Sequence, residues 1–577
     1  MTRVLLRHVG LVFFVSTVVS AQPPPALPTM LIEMPVGAQG VPMPQMPPRD
    51  KSQPAKPGTA TLRGHVVAAD TGQPLRKAQV RIFAAELREN RMATTDGDGM
   101  YEFKELPAGR YNVSASKGSY VGLQYGQQRP FEPGRPLEIL DRQTVEKVDF
   151  SLPRGGVITG RILDEFGDPL PDAQVMAQRY QNIGGRRRLA PAGRPAMTND
   201  IGEFRLFAIP PGQYYLSATL RNMGMIGDTD DRSGYAPTYF PGTASVAEAQ
   251  KVTIGLGQVV SDVNMALMPT RTARITGTAV DSQGRPMMGM VMAMPRGDST
   301  MMVMFGPPGQ IRPDGTFTIN GLAPGTYRLQ TQSGPSMDAE AASEEVTISG
   351  DDVNGIRLVG SKPSIASGRV IVDAAAAQSL RPSTLRLSVQ PLVFDGPLMG
   401  MIGMMGPTAV NDDLTFELKT RPGRMKVALA GPAPGWTIRA VRYRGFDVTD
   451  SGIEFKANED ITDIEVELTN RLTDLSGLVT NGRGAAVKDY SVVVFAQDRD
   501  KWTANSRYMR TGRPDQDGRF KVTGLPPGEY HIVALDYVDM DQWTEPDYLE
   551  RVRSKATSVT IGEGERKSVD LKINTAS

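Results

Sequence analysis

DGDGMYEFKELPAGRY, residues 96–111, is the stretch whose reading decides the fold. It returns as DIGEFRLFAIPPGQY at 200–214, DGTFTINGLAPGTY at 314–327 and DQDGRFKVTGLPPGEY at 515–530. The Asp/Gly pair asks for a tight turn, the alternating apolar residues after it for a strand with one buried face, and the Leu-Pro-x-Gly step for a second turn. The closing Tyr starts another strand, as in Tyr111-Asn112-Val113-Ser114-Ala115, where every second residue is apolar. One further copy is eroded to Asp413-Leu414-Thr415-Phe416 and Pro422-Gly423-Arg424-Met425. A type II turn after the proline predicts positive φ at Gly109, Gly212, Gly325 and Gly528.

Upstream of each block stands a Gly inside a β-like stretch, followed in the first three copies by a Gly-x-Pro turn. The stretches are Leu62-Arg63-Gly64-His65-Val66, Ile158-Thr159-Gly160-Arg161-Ile162, Ile275-Thr276-Gly277-Thr278-Ala279, Ala366-Ser367-Gly368-Arg369-Val370 and Leu475-Ser476-Gly477-Leu478-Val479. Units of this size, with some seven short strands each, predict an all-β tandem array of about five seven-stranded antiparallel β-sandwiches. Their boundaries read as 60–153, 154–271, 272–362, 363–472 (the degenerate copy) and 473–575, here called repeats one to five. Sixty Gly and 45 Pro in 577 residues agree with many turns and little helix.

The chain begins with Arg3, Arg7 and His8, an apolar run from Val9 to Val19 and the small residues Ser20 and Ala21, the pattern of a signal peptide over 1–21. That run is too short to span a bilayer, and no later stretch is long enough, so no membrane span is expected after cleavage. Residues 22–59 carry 11 prolines and read as a disordered, extended linker. The protein is therefore expected to be exported, to the periplasm, the cell surface or the medium. Lys plus Arg number 64 against 63 Asp plus Glu, a balance that argues against nucleic-acid partners. The absence of cysteine removes disulfides and thiolate metal sites.

The paired motifs, Gly-x-Val with Gly-x-Pro and Asp-x-x-Gly-x-Tyr with Leu-Pro-x-Gly-x-Tyr, resemble the carboxypeptidase regulatory-like family over nearly all of residues 60–575. The resemblance implies a prealbumin-like (transthyretin-like) sandwich, related to starch-binding-like and collagen-adhesin B-type modules, in a bacterial exported protein. It implies no activity, since catalysis in that family belongs to a separate peptidase domain. A Lys on the first strand, as an isopeptide cross-link would need, is missing: the positions hold Arg63 and His65, Thr159 and Arg161, or Thr276 and Thr278.

Chemistry is sparse. His65 and His531 occupy slots filled elsewhere by Arg, Thr, Asn or Tyr and are expected on outward strand positions, so no catalytic, cofactor or metal residues are assigned. Acidic turns such as Asp96-Gly97-Asp98-Gly99 lack the full ligand run of a calcium loop. Arg296-Gly297-Asp298 and Arg186-Arg187-Arg188 read as solvated loop sequence. Met287–Met304 holds eight methionines, of which Met290, Met292 and Met294 are expected inward as core. Met301, Met302, Met304 and the group Met399, Met401, Met404 and Met405 fall in insertions, where copper(I) or an apolar surface is open.

Trp502, Tyr508, Tyr537, Trp543 and Tyr548 fall outside the strand alternation, with Asp498, Asp500, Asp539 and Asp541 nearby. Flat rings beside carboxylates suit a sugar; the competing reading is that they pin their own loops. Tyr235-Ala236-Pro237-Thr238-Tyr239-Phe240-Pro241-Gly242 in repeat two is a similar aromatic loop, with Tyr120 and Tyr125 as its counterpart in repeat one; the repetition reads as a fold feature, which would stiffen the string if it packs between repeats. The expected function is structural, adhesive or ligand-presenting at the cell envelope, with a glycan or another envelope protein as partner. The alternatives are a carbohydrate-binding protein of the starch-binding-like fold and an accessory part of a peptidase or outer-membrane uptake system.

Overall fold

The computed structural model describes residues 58–575 except 85, 88–89, 130, 184–185, 221–232, 297–307, 333–338, 393–406, 432, 434, 504 and 541. Residues 1–21, read above as a signal peptide, most of the proline-rich stretch, Met301, Met302, Met304, the second methionine group and two residues of Arg296-Gly297-Asp298 lie outside the described residues. Met1–Lys56 and Pro57–Ser577 are separate units, and the rest concerns the second. The chain is almost entirely β. Its buried hydrophobics fall into clusters that run from Ala60 to Leu152, Ile158 to Leu267, Ala273 to Leu358, Ala366 to Leu468 and Leu475 to Leu571, with a sixth cluster inside the last span.

Repeat one shows the plan. Strand Ala60–Ala68 pairs antiparallel with Met100–Leu106 on one side and parallel with Thr144–Val145 and Phe150–Leu152 on the other. The facing sheet is built on Gln79–Phe83, between Arg91–Thr94 and Gly109–Ser116. Every repeat has this mixed opening sheet, so the antiparallel expectation is corrected: the closing strand returns alongside the opening strand in the same direction.

That return explains the opening glycine. A Cβ on Gly64 would overlap the carbonyl oxygen of Val148; on Gly160 that of Val263, on Gly277 that of Ile356, on Gly368 that of Ile464, and on Gly477 that of Val569. The closing strand crosses the opening one so closely that only hydrogen fits. On the opposite side each glycine pairs with an aromatic residue of the quoted block: Tyr101, Phe204, Phe317, Phe416 or Phe520. All five rings are buried, and those of Tyr101, Phe204, Phe317 and Phe520 reach into the space that the missing side chain leaves. In repeat one the Tyr101 hydroxyl also donates to the Val148 carbonyl at 2.5 Å.

The backbone locks the crossing. Val148, Val263 and Val569 donate to the carbonyls of Arg63, Thr159 and Ser476 at 3.1, 3.1 and 2.8 Å. The amides just after Gly64, Gly160 and Gly477 are taken by the side chains of Asp149, Asn264 and Asp570 at 2.8, 2.8 and 2.9 Å. Repeats three and four instead run the closing strand continuously through a register shift at Gly277 and Gly368.

The second half of the block is a separate staple. Tyr111, Tyr214, Tyr327 and Tyr530 are buried, and their hydroxyls donate to the carbonyls of Pro107, Pro210, Ala323 and Pro526, four residues upstream, at 2.6–2.8 Å. Each ring ties the Pro-Gly turn to the strand that follows. The glycines of this turn are not in a type II conformation: φ is +159° at Gly212, +155° at Gly325 and +159° at Gly528, close to extended backbone. The left-handed glycines are those of the preceding Asp turn, Gly99, Gly202, Gly315 and Gly518, at +72° to +84°. In the eroded repeat four this place is taken by Leu414 at +66°.

Met290, Met292 and Met294 also require correction. Val291 is buried in the core and Ala293 packs against it, whereas Met290 is 38% exposed and Met292 and Met294 are half-buried on the other face. Repeat three has one residue fewer than repeat one between the Gly-x-Pro turn and this strand, and a shift of one residue moves every side chain to the opposite face.

The glycine crossing predicts a ranking. In urea unfolding of the whole chain, with repeat three followed by hydrogen exchange, Gly277→Ala should destabilise that repeat by about 1–3 kcal/mol, the usual cost of overpacking. Gly325→Ala should cost clearly less; equal effects would contradict the assignment.

Candidate functional site

Repeat five buries both faces of its second sheet. Strand Ser491–Ala496 is buried throughout: Val492, Val494 and Ala496 face the inner core, Val493 and Phe495 a second one. The second core is closed by helix Pro546–Arg553, which begins with proline in its first turn beside Asp547 and ends with Arg551 and Arg553, charges that suit its two ends. Its Tyr548, Leu549 and Val552 meet Trp502, Met509, Val533, Leu535 and Val538.

The five aromatic residues singled out in the sequence all lie in or beside this region, but they serve packing. Trp502 is 5% exposed, stands edge-on to Phe495 at 5.4 Å and donates its indole N–H to the Ala496 carbonyl at 2.7 Å. Tyr548 is also buried, and burial pushes its phenol up to about 12. Trp543 is half-buried against the same cluster. Tyr508 packs on the inner core and accepts from Arg507 at 3.2 Å, while Arg507 clasps Asp450 of repeat four at 3.0 Å. Tyr537 lies under the Arg129 guanidinium of repeat one at 5.7 Å, and burial pushes its phenol up to about 12.

Of the nearby carboxylates, Asp498 accepts from the Asp500 amide at 3.1 Å and caps a short turn. Asp539 lies 3.6 Å from Arg179 of repeat two, and burial raises its carboxyl above the usual range. Asp541 lies outside the described residues. His65 is exposed in repeat one, 3.6 Å from Asp149. His531 stands on the outward face as expected, opposite Phe495, but the second core leaves it half-buried 5.3 Å from that ring, and burial, then Arg553, lowers its pKa. The acidic turns spend their oxygens on backbone: Asp96 accepts the amides of Asp98 and Met100 at 3.0 and 2.8 Å. Among the described residues no group of three or more His, Asp or Glu is placed to hold a metal ion.

These segments belong to a junction that was not read from the sequence. A loop of repeat one, residues 126–129 and 131–135, lies against repeat five. Glu132 and Arg513, each 3% exposed, form an ion pair at 2.6 Å. Arg513 also reaches Asp489 at 2.8 Å, the Tyr490 carbonyl at 3.1 Å and the Gly126 carbonyl at 3.3 Å. Arg135 bonds the Lys488 carbonyl and meets Asp489 at 3.3 Å, and Met540 donates its amide to the Phe131 carbonyl at 3.1 Å. The Arg179 guanidinium stacks on the Phe131 ring at 3.1 Å, bringing repeat two into the same contact. Side chains of repeats one, two and five thus meet at one place.

With this geometry in hand, comparison with known proteins adds a family. Residues 61–152 match the carboxypeptidase regulatory-like domain. Repeat one is similar to such a domain over nearly its whole length. Its regulatory-like sandwich carries the glycine crossing, the tyrosine staple and the loop that reaches repeat five. No curated protein matches the sequence significantly. Similar solved structures include the minor pilin of Streptococcus agalactiae, with 12% identity over 37% of this chain and 97% of that one and a TM-score of 0.21. Two B repeat units of the collagen binding protein of Staphylococcus aureus give 13% identity over 71% and 99%, with a TM-score of 0.12. At these scores the architecture described above rests on strand pairing alone.

Glu132→Ala removes the one carboxylate that repeat one is seen to offer Arg513, which keeps Asp489 of its own repeat, so the buried charge pair that crosses the junction is lost. Glu132→Ala should therefore release the regulatory-like domain from repeat five. Since the chain has no cysteine, spin labels at Thr71→Cys and Thr560→Cys report this distance alone. A broadened distribution is expected in Glu132→Ala, and an unchanged one would show that the pair does not hold the contact.

Proposed function

We propose that the protein is a non-catalytic, exported scaffold of five sandwich repeats, with boundaries at 60–153, 154–271, 272–362, 363–472 and 473–575, and a structural or adhesive role at the cell envelope. One observation carries this reading: the rings and charges that the sequence offers for a ligand are used in packing repeat five and joining it to its neighbours. Trp502 and Tyr548 are core, Arg507 with Asp450 joins repeats four and five, and Phe131, Arg179 and Asp539 join one, two and five. Interfaces of this kind oppose the domain motion expected of loosely linked modules. A rigid body suits load-bearing or presentation. The leader-like residues 1–21 and the lack of cysteine support export.

Two measurements test it. Residues 1–21 fused to a reporter should direct it out of the bacterial cytoplasm; retention would contradict export. On a glycan array the whole chain should show no binding that Trp543→Ala abolishes. A specific sugar lost with that half-buried ring would replace the scaffold reading with the carbohydrate-binding one.

A further inference from the structure

Repeat three departs from the other repeats at one set of positions. Counting from the buried tyrosine staple, or Met425 in repeat four, the three outward places on the second strand hold Gln79, Arg81 and Phe83 in repeat one and Gln174, Met176 and Gln178 in repeat two. They hold Arg386, Ser388 and Gln390 in repeat four. In repeat five they are Ser491, Val493 and Phe495, and there the apolar pair is covered by helix Pro546–Arg553. In repeat three all three are methionine: Met290, Met292 and Met294.

We propose that Met290, Met292 and Met294 form a binding site for a soft monovalent cation, copper(I). They are successive outward side chains of one strand, so their Cα atoms stand about 7 Å apart in a row. Each methionine has three rotatable bonds and a polarizable sulfur, enough reach for neighbouring thioethers to converge. Thioethers prefer copper(I) to harder divalent ions. Core filling does not explain the row, because Val291 and Ala293 take the inward places. The partner strand sets Gln332 and Gln330 opposite Met290 and Met292, neutral groups that do not repel a cation, and Arg328 opposite Met294. The other nearby cation, Arg296, is ion-paired with Glu345 at 2.7 Å. No cysteine exists to compete, and His65 and His531 belong to other repeats.

The test is anaerobic titration of the whole chain with copper(I), in competition with a chromogenic chelator. The expected result is one copper(I) held by sulfur, with an affinity that does not change between pH 5 and 7.5, because thioethers do not titrate. The triple variant Met290→Leu, Met292→Leu, Met294→Leu keeps volume and should lose at least tenfold in affinity. Silver(I) added to wild-type protein with labelled methionine methyl groups should shift three resonances, assigned by single Leu variants to these residues; this reading does not depend on the triple variant folding. Wild-type affinity in the triple variant, silver shifts confined to other methionines, or no copper(I) binding at all would overturn the proposal.

Discussion

Each repeat depends on one close approach, the carbonyl of the returning strand lying over a glycine of the opening strand. The contact leaves no room for a side chain, which is why five glycines occupy equivalent places in five otherwise divergent stretches. It also sets the residue opposite. A glycine in a strand interior leaves a gap and weakens the ladder, and an aromatic ring across the pair fills that gap. Glycine and ring are thus two sides of one contact, although they belong to segments some forty residues apart.

Much of this was legible in the sequence. The repeated glycine, the Asp turn, the ring and the tyrosine are all local signals with fixed spacing, and they led to the correct sandwich. The direction of the closing strand was not, because a parallel and an antiparallel neighbour present the same alternation to a reader of one strand. Met290, Met292 and Met294 were misplaced for a related reason: the turn to their strand is one residue shorter than in repeat one, and period-two patterns carry no memory of such a loss. Val291 and Ala293 could have given the correct phase, since they are the inward partners of Thr331 and Leu329, respectively, across the pair.

The junction was the least legible part. Glu132 and Arg513 lie in segments without periodicity, and nothing local distinguishes a loop that meets another repeat from one that meets water. The aromatic residues of repeat five were noticed because they broke the alternation. That signal was real, but it marked a second core and the contacts around it: Trp502 closes the core, while Tyr537 and Tyr508 sit at the edges shared with repeats one and four. Repeat four, with Leu414 in a left-handed place that glycine fills elsewhere, has kept the crossing at Gly368 while losing the turn glycine and the tyrosine. The crossing therefore outlasts the features that made the repeat recognisable.

If the crossing holds each repeat together, the amides that bridge it open only when the whole repeat opens. Site-resolved hydrogen exchange of the native chain measures this directly. Val148, Val263 and Val569 should exchange as slowly as the central-strand amide of Val494. Exchange of these three at the rate of the turn amides of Gly72 and Gly167, with Val494 still protected, would show that the returning strand frays freely and would contradict the account.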